Sequence, residues 1–337
     1  MKKSLVALAA LAVVGAASAQ STVTLYGKID AALQSKSTTG VTDQGLQINS
    51  GGLNTSRWGL KGSEDLGDDM KVNFQLESGF NVDTGAVKGA STLFSRVAVV
   101  GLTGGFGTVS AGLQWTPYDN GFLDALDYSS ASAMSAAFYA GAHGDNGNTG
   151  WGNAKNSIQY ATPDMSGFSA TVMYAPGEDK TAALSASRYT GFGLYYVTGP
   201  LEASLAQETS TEQGTGSTIN AWILAASYNL KFAKLFASIE RASNGTSNGG
   251  DDAGWSLGAS MPIGSATSFA ASYARESTTN ATGTIVNSDT TSFGTQLVHN
   301  LSKRTNLYGA YVRSETTPTV GTNTTSSTFS LGMRHSF

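Results

Sequence analysis

The residues of this chain that could do chemistry are mostly fixed charges. Asp119, Asp124, Asp127 and Asp145 fall in one long stretch, 116–153, with no basic residue before Lys155. Arg57, Arg96, Lys28, Lys61, Lys71 and Arg334 fall on one parity of alternating segments, and Asp30, Glu77 and Gln159 share it. Separated charges of this kind steer ions through space; they make and break no bond. His143, His299 and His335 are scattered and form no His-x-x-x-His pair or Ser-His-Asp order. With no cysteine in the chain, disulfides, thiolate metal sites and Cys nucleophiles are excluded. Asp65, Asp68 and Asp69 lack EF-hand spacing and read as a solvated turn. Thr103-Gly104-Gly105-Phe106-Gly107 is followed by no helix, so it too is a turn rather than a phosphate loop. A hydrolase would need a base beside a nucleophile, and none is offered. No enzyme activity and no cofactor are expected.

The elements that must hold these charges are written in the composition. A chain of 337 residues could form two soluble domains or one large barrel. Charged residues are only 13%, about half the usual share. Forty-one glycines against six prolines would fit disorder, but 40% hydrophobic content with 14 Phe, 13 Tyr and 5 Trp argues against it. Short amphipathic strands satisfy both facts.

Residues 1–19 read as a signal peptide. Lys2 and Lys3 precede an apolar run from Leu5 to Ala17, and Ala17-Ser18-Ala19 supplies small residues for cleavage before Gln20. No other stretch approaches the length of a membrane helix. Removing the two lysines leaves 18 basic against 24 acidic side chains, a formal charge of −6, which disfavours nucleic acid as a partner.

From Thr22 the chain alternates. Val23, Leu25, Gly27, Ile29, Ala31 and Leu33 share one face; Thr24, Tyr26, Lys28, Asp30 and Ala32 share the other. An apolar outside and polar inside over about ten residues is the pattern of a membrane barrel strand. A soluble β-sandwich also alternates, but it has no reason to combine a leader, strict long–short connections and a terminal Phe337. At that terminus Phe329, Leu331, Met333, His335 and Phe337 oppose Ser330, Gly332, Arg334 and Ser336. Seven short turns lie near 64–69, 103–107, 163–167, 197–200, 229–233, 262–265 and 301–304. Eight long connections lie near 35–50, 81–91, 116–153, 176–186, 209–217, 242–252, 276–289 and 315–325. Fifteen connections make 16 strands. The expected fold is all-β, a 16-stranded antiparallel transmembrane barrel over 20–337, with Phe337 at the seam beside the Val23–Leu33 strand. Aromatics near segment ends, among them Tyr160, Tyr228, Tyr273, Tyr308, Trp115 and Trp255, are expected in interfacial girdles. No run of aromatic residues follows one inner face.

Specific runs add a resemblance. SRWGLKGSEDLG at 56–67, KVNFQLESGF at 71–80, LFSRVAVVGL at 93–102, NSIQYATPDMSGFSA at 156–170 and GMRHSF at 332–337 resemble the general porins of β-proteobacteria, the neisserial-type family. The resemblance covers essentially the whole mature chain. It implies a homotrimer in the outer membrane whose third long loop folds inward. It further implies contact with outer-membrane lipid and lipopolysaccharide, and a terminal aromatic, Phe337, read by the barrel assembly machinery. The function it implies is passive diffusion of ions and small hydrophilic solutes, with a substrate-specific channel for a small anionic solute as the alternative.

In such porins an acidic third loop faces a basic wall at the constriction. Here that assigns Asp119, Asp124 and Asp127 to the loop, and Arg57, Arg96 and Lys28 to the wall, with Glu77 partly offsetting them. Two departures weaken the wall. The family's Gly-Arg-Gln is Gly112-Leu113-Gln114, and its Asn-Ser-Ile-Arg-Tyr is Asn156-Ser157-Ile158-Gln159-Tyr160. A unit charge about 4 Å from an ion contributes roughly 4 kcal/mol at an effective dielectric of about 20, and salt with a Debye length of about 8 Å cuts this further. A modest anion preference follows, not a filter.

Overall fold

The computed structural model describes residues 22–43, 45–88, 92–120, 152–211, 213, 218–244, 250–280 and 288–337. Its strands are β1 (Thr22–Thr38), β2 (Leu46–Ser50), β3 (Arg57–Gly67), β4 (Met70–Gly79), β5 (Val97–Gly104) and β6 (Gly107–Trp115). Next come β7 (Asn153–Ala161), β8 (Phe168–Pro176), β9 (Arg188–Thr198), β10 (Leu201–Thr211), β11 (Thr218–Asn229) and β12 (Lys234–Asn244). The last are β13 (Gly250–Ile263), β14 (Thr267–Asn280), β15 (Ser288–Asn300), β16 (Thr305–Pro318) and β17 (Thr324–Ser336). Each pairs antiparallel with its chain neighbour. The exception is that β2 faces Ala31–Ser35 and β3 faces Thr22–Lys28 of the same strand, β1. These two segments are one stave interrupted at 51–56, so seventeen segments make the sixteen staves expected.

The ring closes where it was expected to. β17 pairs with β1 from Lys28 opposite Ser336 to Thr38 opposite Ser326, and Phe337 exchanges both backbone hydrogen bonds with Gly27 at 3.1 Å. Closure leaves no strand edge in hydrocarbon, where each unpaired backbone group would cost several kcal/mol. Gly27 is required here, because a Cβ on it would lie 2.3 Å from the Phe337 ring. Side chains keep the alternation: Val23, Leu25, Leu224, Leu257, Leu331 and Met333 are exposed outside, whereas Asp30, Ser227, Ser272 and Ser330 are enclosed within.

Strands run beyond the ends expected of them. β10 reaches Thr211, β14 and β15 reach Asn280 and Ser288, and β16 and β17 reach Pro318 and Thr324. Their Ser- and Thr-rich ends look like loop, yet the hydroxyls pair across the ladder: Thr211 with Thr218 at 3.3 Å, Thr290 with Thr316 at 3.0 Å, and Ser292 with Ser314 at 2.8 Å. Cross-strand hydroxyl pairs of this kind support a strand as apolar pairs do. Two girdle assignments are corrected. Tyr308 is enclosed on the inner face, held by the Asp30 carboxylate, and Trp115 lies against Arg96.

Candidate functional site

The charges on the inner face gather on two walls. On the first, Glu77 of β4 accepts the Arg96 Nε at 2.7 Å on one oxygen. Its other oxygen accepts the Tyr26 hydroxyl at 3.0 Å and stands 3.5 Å from the Arg57 Nε. The Arg96 guanidinium lies 5.0 Å from the centre of the Trp115 ring, a cation–π contact. Glu77 is nearly sealed, with 7% of its side chain exposed, whereas Arg57 and Arg96 keep 24% and 18%. The pair of arginines therefore faces the lumen and the carboxylate sits behind it.

Residues 51–56, between β2 and β3, fix the rest of this wall. The Asp30 carboxylate accepts the backbone N–H groups of Gly52, Leu53 and Asn54 at 3.1, 3.0 and 2.8 Å, and the Tyr308 hydroxyl as well. Hydrogen bonds to an ionised acceptor are stronger than neutral ones, and they draw the segment against β1. Leu53 then packs with Ala32, Val298 and Tyr308. Gly52 is forced by this approach, since a Cβ there would lie 2.2 Å from the Tyr308 hydroxyl. From this shelf the Asn54 side-chain oxygen accepts Lys28 Nζ at 3.3 Å and the Arg334 guanidinium. The Thr55 carbonyl accepts Arg57 at 3.2 Å, and the Thr55 hydroxyl accepts Lys88 Nζ at 3.4 Å. Burial and the Arg96 charge hold the Lys88 ammonium below the ordinary lysine range. Five basic side chains (Lys28, Arg57, Lys88, Arg96 and Arg334) thus surround two carboxylates.

The second wall spans β9 to β14. The Tyr189 hydroxyl donates to Glu208 at 3.0 Å, and Tyr118 donates to Glu240 at 3.4 Å. Asp252 and Glu276 follow on β13 and β14, on the same inner parity. The root of the long stretch 116–153 is tied here. The Tyr195 hydroxyl donates to the Pro117 carbonyl at 2.8 Å, and the Thr116 N–H donates to the Gly152 carbonyl at 2.8 Å. Asp119 is buried at this root, its N–H bonded to the Thr116 hydroxyl at 3.2 Å. Burial and the Glu240 charge push the Tyr118 phenol well above its ordinary range, so it remains a neutral donor. Half of the sixteen staves separate β3 from β11, so the basic and acidic walls stand across the lumen from one another.

A closed sixteen-stave barrel with opposed charge on its inner walls is the architecture of an outer-membrane pore. A family model described as Gram-negative porin matches residues 5–319. The chain belongs to the Gram-negative porins. It is 34% identical over 317 residues to outer membrane porin protein 32 of Delftia acidovorans, covering 92% of this chain and 88% of that one. It is 32% identical over 288 residues to an outer membrane porin protein of Bordetella pertussis, covering 73% and 70%. Major outer membrane protein P.IB of Neisseria gonorrhoeae is 35% identical over 204 residues, 57% of this chain and 53% of that one. Among solved structures, an anion-selective porin from Comamonas acidovorans aligns with a TM-score of 0.78 at 29% identity, covering 94% of this chain and 100% of that chain. Porins are channels rather than enzymes, and they lie in the outer membrane as oligomers of multi-pass β-barrels.

In this porin, Arg57, Arg96, Glu77 and Lys28 come together as one group. Gln159 does not join them. It lies on β7 opposite Ser110, six residues from Asn153, which is opposite Trp115. That separation is about 20 Å at ~3.3 Å per residue. Gln159 instead borders a cavity of about 440 Å³ with Asn120, Thr171, Tyr195, Glu202 and Ser204. Asp119 sits beside the acidic wall, while Asp124 and Asp127 lie outside the described residues.

Reading the sequence missed the shelf residues Asn54 and Thr55, the loop lysine Lys88, and the wall acids Glu208, Glu240, Asp252 and Glu276. Inner parity was a usable signal for the acids; nothing local marks the shelf, whose anchor, Asp30, is twenty-two residues from Gly52. No run of aromatics was expected inside, yet Tyr118, Tyr189 and Tyr195 gather there from separate segments. Their hydroxyls anchor the loop root and acidic wall, and Tyr118 and Tyr189 are buried.

Proposed function

We propose that this porin is a general diffusion channel with a modest anion preference, and that Arg57 and Arg96 set its sign. The observation that carries the reading is their convergence on one sealed carboxylate, Glu77, with Lys28, Lys88 and Arg334 beside them. Five positive against two negative groups leave a net positive face toward the lumen. The acidic wall opposite prevents that face from becoming a strict filter, and wide water-filled pores bias flux rather than exclude ions. The similarity to an anion-selective porin supports the same sign. Asp119, with Asp124 and Asp127 further along the third loop, supplies negative charge at the narrowing. The working unit is a homotrimer of mature chains beginning at Gln20, assembled with Phe337 as the signal.

Planar-bilayer recording under a KCl gradient tests the reading. The wild type gives a reversal potential displaced moderately toward chloride, and Arg57→Ala with Arg96→Ala moves it toward potassium. An unmoved potential removes both arginines from the ion path. Saturable block by one small acid identifies a substrate-specific channel instead.

A further inference from the structure

One corner of the periplasmic rim carries positive and hydrogen-bonding groups with no acidic side chain beside them on the outer face, among the described residues. The turn joining β15 to β16 exposes Lys303 and Arg304. His299 and His335 flank it on the outer face, each held by a threonine of the adjacent strand. Thr267 Oγ1 lies 2.8 Å from His299 Nδ1, and Thr305 Oγ1 lies 2.9 Å from His335 Nδ1. In the tautomer in which the threonine donates, the opposite ring nitrogen carries the proton and can donate outward. The corner is tied together by backbone: the Ser336 N–H donates to the Arg304 carbonyl at 2.8 Å, and His335 pairs with Thr305.

The acids of these strands lie at the far end. Glu276, Asp289 and Glu315 are nine or ten residues along β14, β15 and β16 from this rim, and β17 has none. At ~3.3 Å per residue that is about 30 Å, more than three Debye lengths of about 8 Å at physiological salt. Asp30, opposite Arg334 on β1, points into the lumen and is fully buried. The Phe337 carbonyl oxygen is engaged at the seam, where it accepts the Gly27 N–H at 3.1 Å. Immediately above the corner, Leu307 and Met333 are exposed on the outer surface, and Phe337 is exposed beside it.

We propose that this corner binds the phosphate headgroup of an anionic phospholipid in the periplasmic leaflet, with Lys303, Arg304, His299 and His335 as its polar contacts. The occupant is chosen by two chemistries that meet there. A basic edge complements a phosphodiester, and the apolar strip above it accommodates acyl chains, which a free phosphate or an acidic peptide does not have.

Native mass spectrometry of the detergent-solubilised full-length oligomer tests this, with phosphatidylglycerol and phosphatidylcholine of identical chains as probes. The wild type retains phosphatidylglycerol over phosphatidylcholine. Lys303→Gln with Arg304→Gln lowers that preference at least tenfold, since each basic residue at an anionic surface contributes about fivefold. A heat-dependent gel shift shows that the variant barrel is folded. Lys231→Gln, in the β11–β12 turn, keeps the wild-type preference. Equal retention of the two lipids by the wild type, a preference that survives in the double variant, or an equal loss in Lys231→Gln each overturns the site. So does cross-linking of Lys303 to a second copy, which would show the corner covered by protein.

Discussion

Replacing Glu77 by glutamine should strengthen anion preference, although it removes a salt-bridge partner from two arginines. Glutamine keeps the shape of the side chain and can still accept from Tyr26 and from one guanidinium, so the wall stays in place. What changes is the charge behind it: the five basic groups then oppose Asp30 alone. For an anion passing about 6 Å from the site, one added unit is worth roughly 0.7 kcal/mol at the dielectric of water and about 2.8 at an effective dielectric of 20. Screening over that distance with a Debye length of about 8 Å roughly halves both, leaving ~0.3 to 1.3 kcal/mol. Local chloride occupancy should therefore rise about two- to ninefold. The assay is the zero-current potential of single channels under a tenfold KCl gradient, wild type against Glu77→Gln in the same membrane. A displacement toward the chloride limit is expected, largest at low salt and shrinking as salt is raised. If the potential stays where it was, or moves toward potassium, Glu77 does not neutralise the lumen-facing arginines and the electrostatic account of this wall fails.

Other consequences follow from the same geometry. Asp30→Asn places an amide among the three backbone donors of the shelf, losing about two charge-assisted hydrogen bonds or ~3 kcal/mol; the temperature at which the barrel unfolds on a gel should drop. An unchanged temperature would mean that this carboxylate does not hold the shelf. Deleting Phe337 should reduce the yield of inserted barrel far more than the conductance of those that insert, and Gly27→Val should do the same by colliding with the ring; normal yields would separate the seam from assembly. Lys88, held below the ordinary lysine range by burial and Arg96, loses its charge as pH rises before an ordinary lysine would. Anion preference should accordingly begin to decline on the alkaline side below the usual lysine range, and Lys88→Gln should lessen that decline; identical pH profiles would refute it.

Much of this porin was legible one residue at a time. Period-two alternation is local, so each strand states which side chains face lipid, and the count of turns then gives the staves. It follows directly that β17 meets β1 and that Arg57, Arg96, Lys28 and Glu77 share the inner face. Strand ends were harder, because Ser and Thr are common to loops and hydroxyl ladders alike. Only pairing reveals that Ser292 has Ser314 opposite it.

The arrangement of charge was settled by tertiary structure. Sequence gives the face of a residue but neither its height on the barrel nor its neighbour eight staves away. Hence Gln159, correctly assigned inward, lies far below the arginines, and Glu208 and Glu240 form an opposing wall that no local motif announces. The shelf makes the same point most plainly. Asp30 reaches Gly52, Leu53 and Asn54 only because β1, β2 and β3 are neighbours in the closed sheet, and Arg334 reaches Asn54 only because the last strand returns to the first. The sequence by itself determined a barrel and which side chains face water within it. Closure of the ring, which brings residues 280 positions apart within hydrogen-bonding distance, decided where its positive face stands.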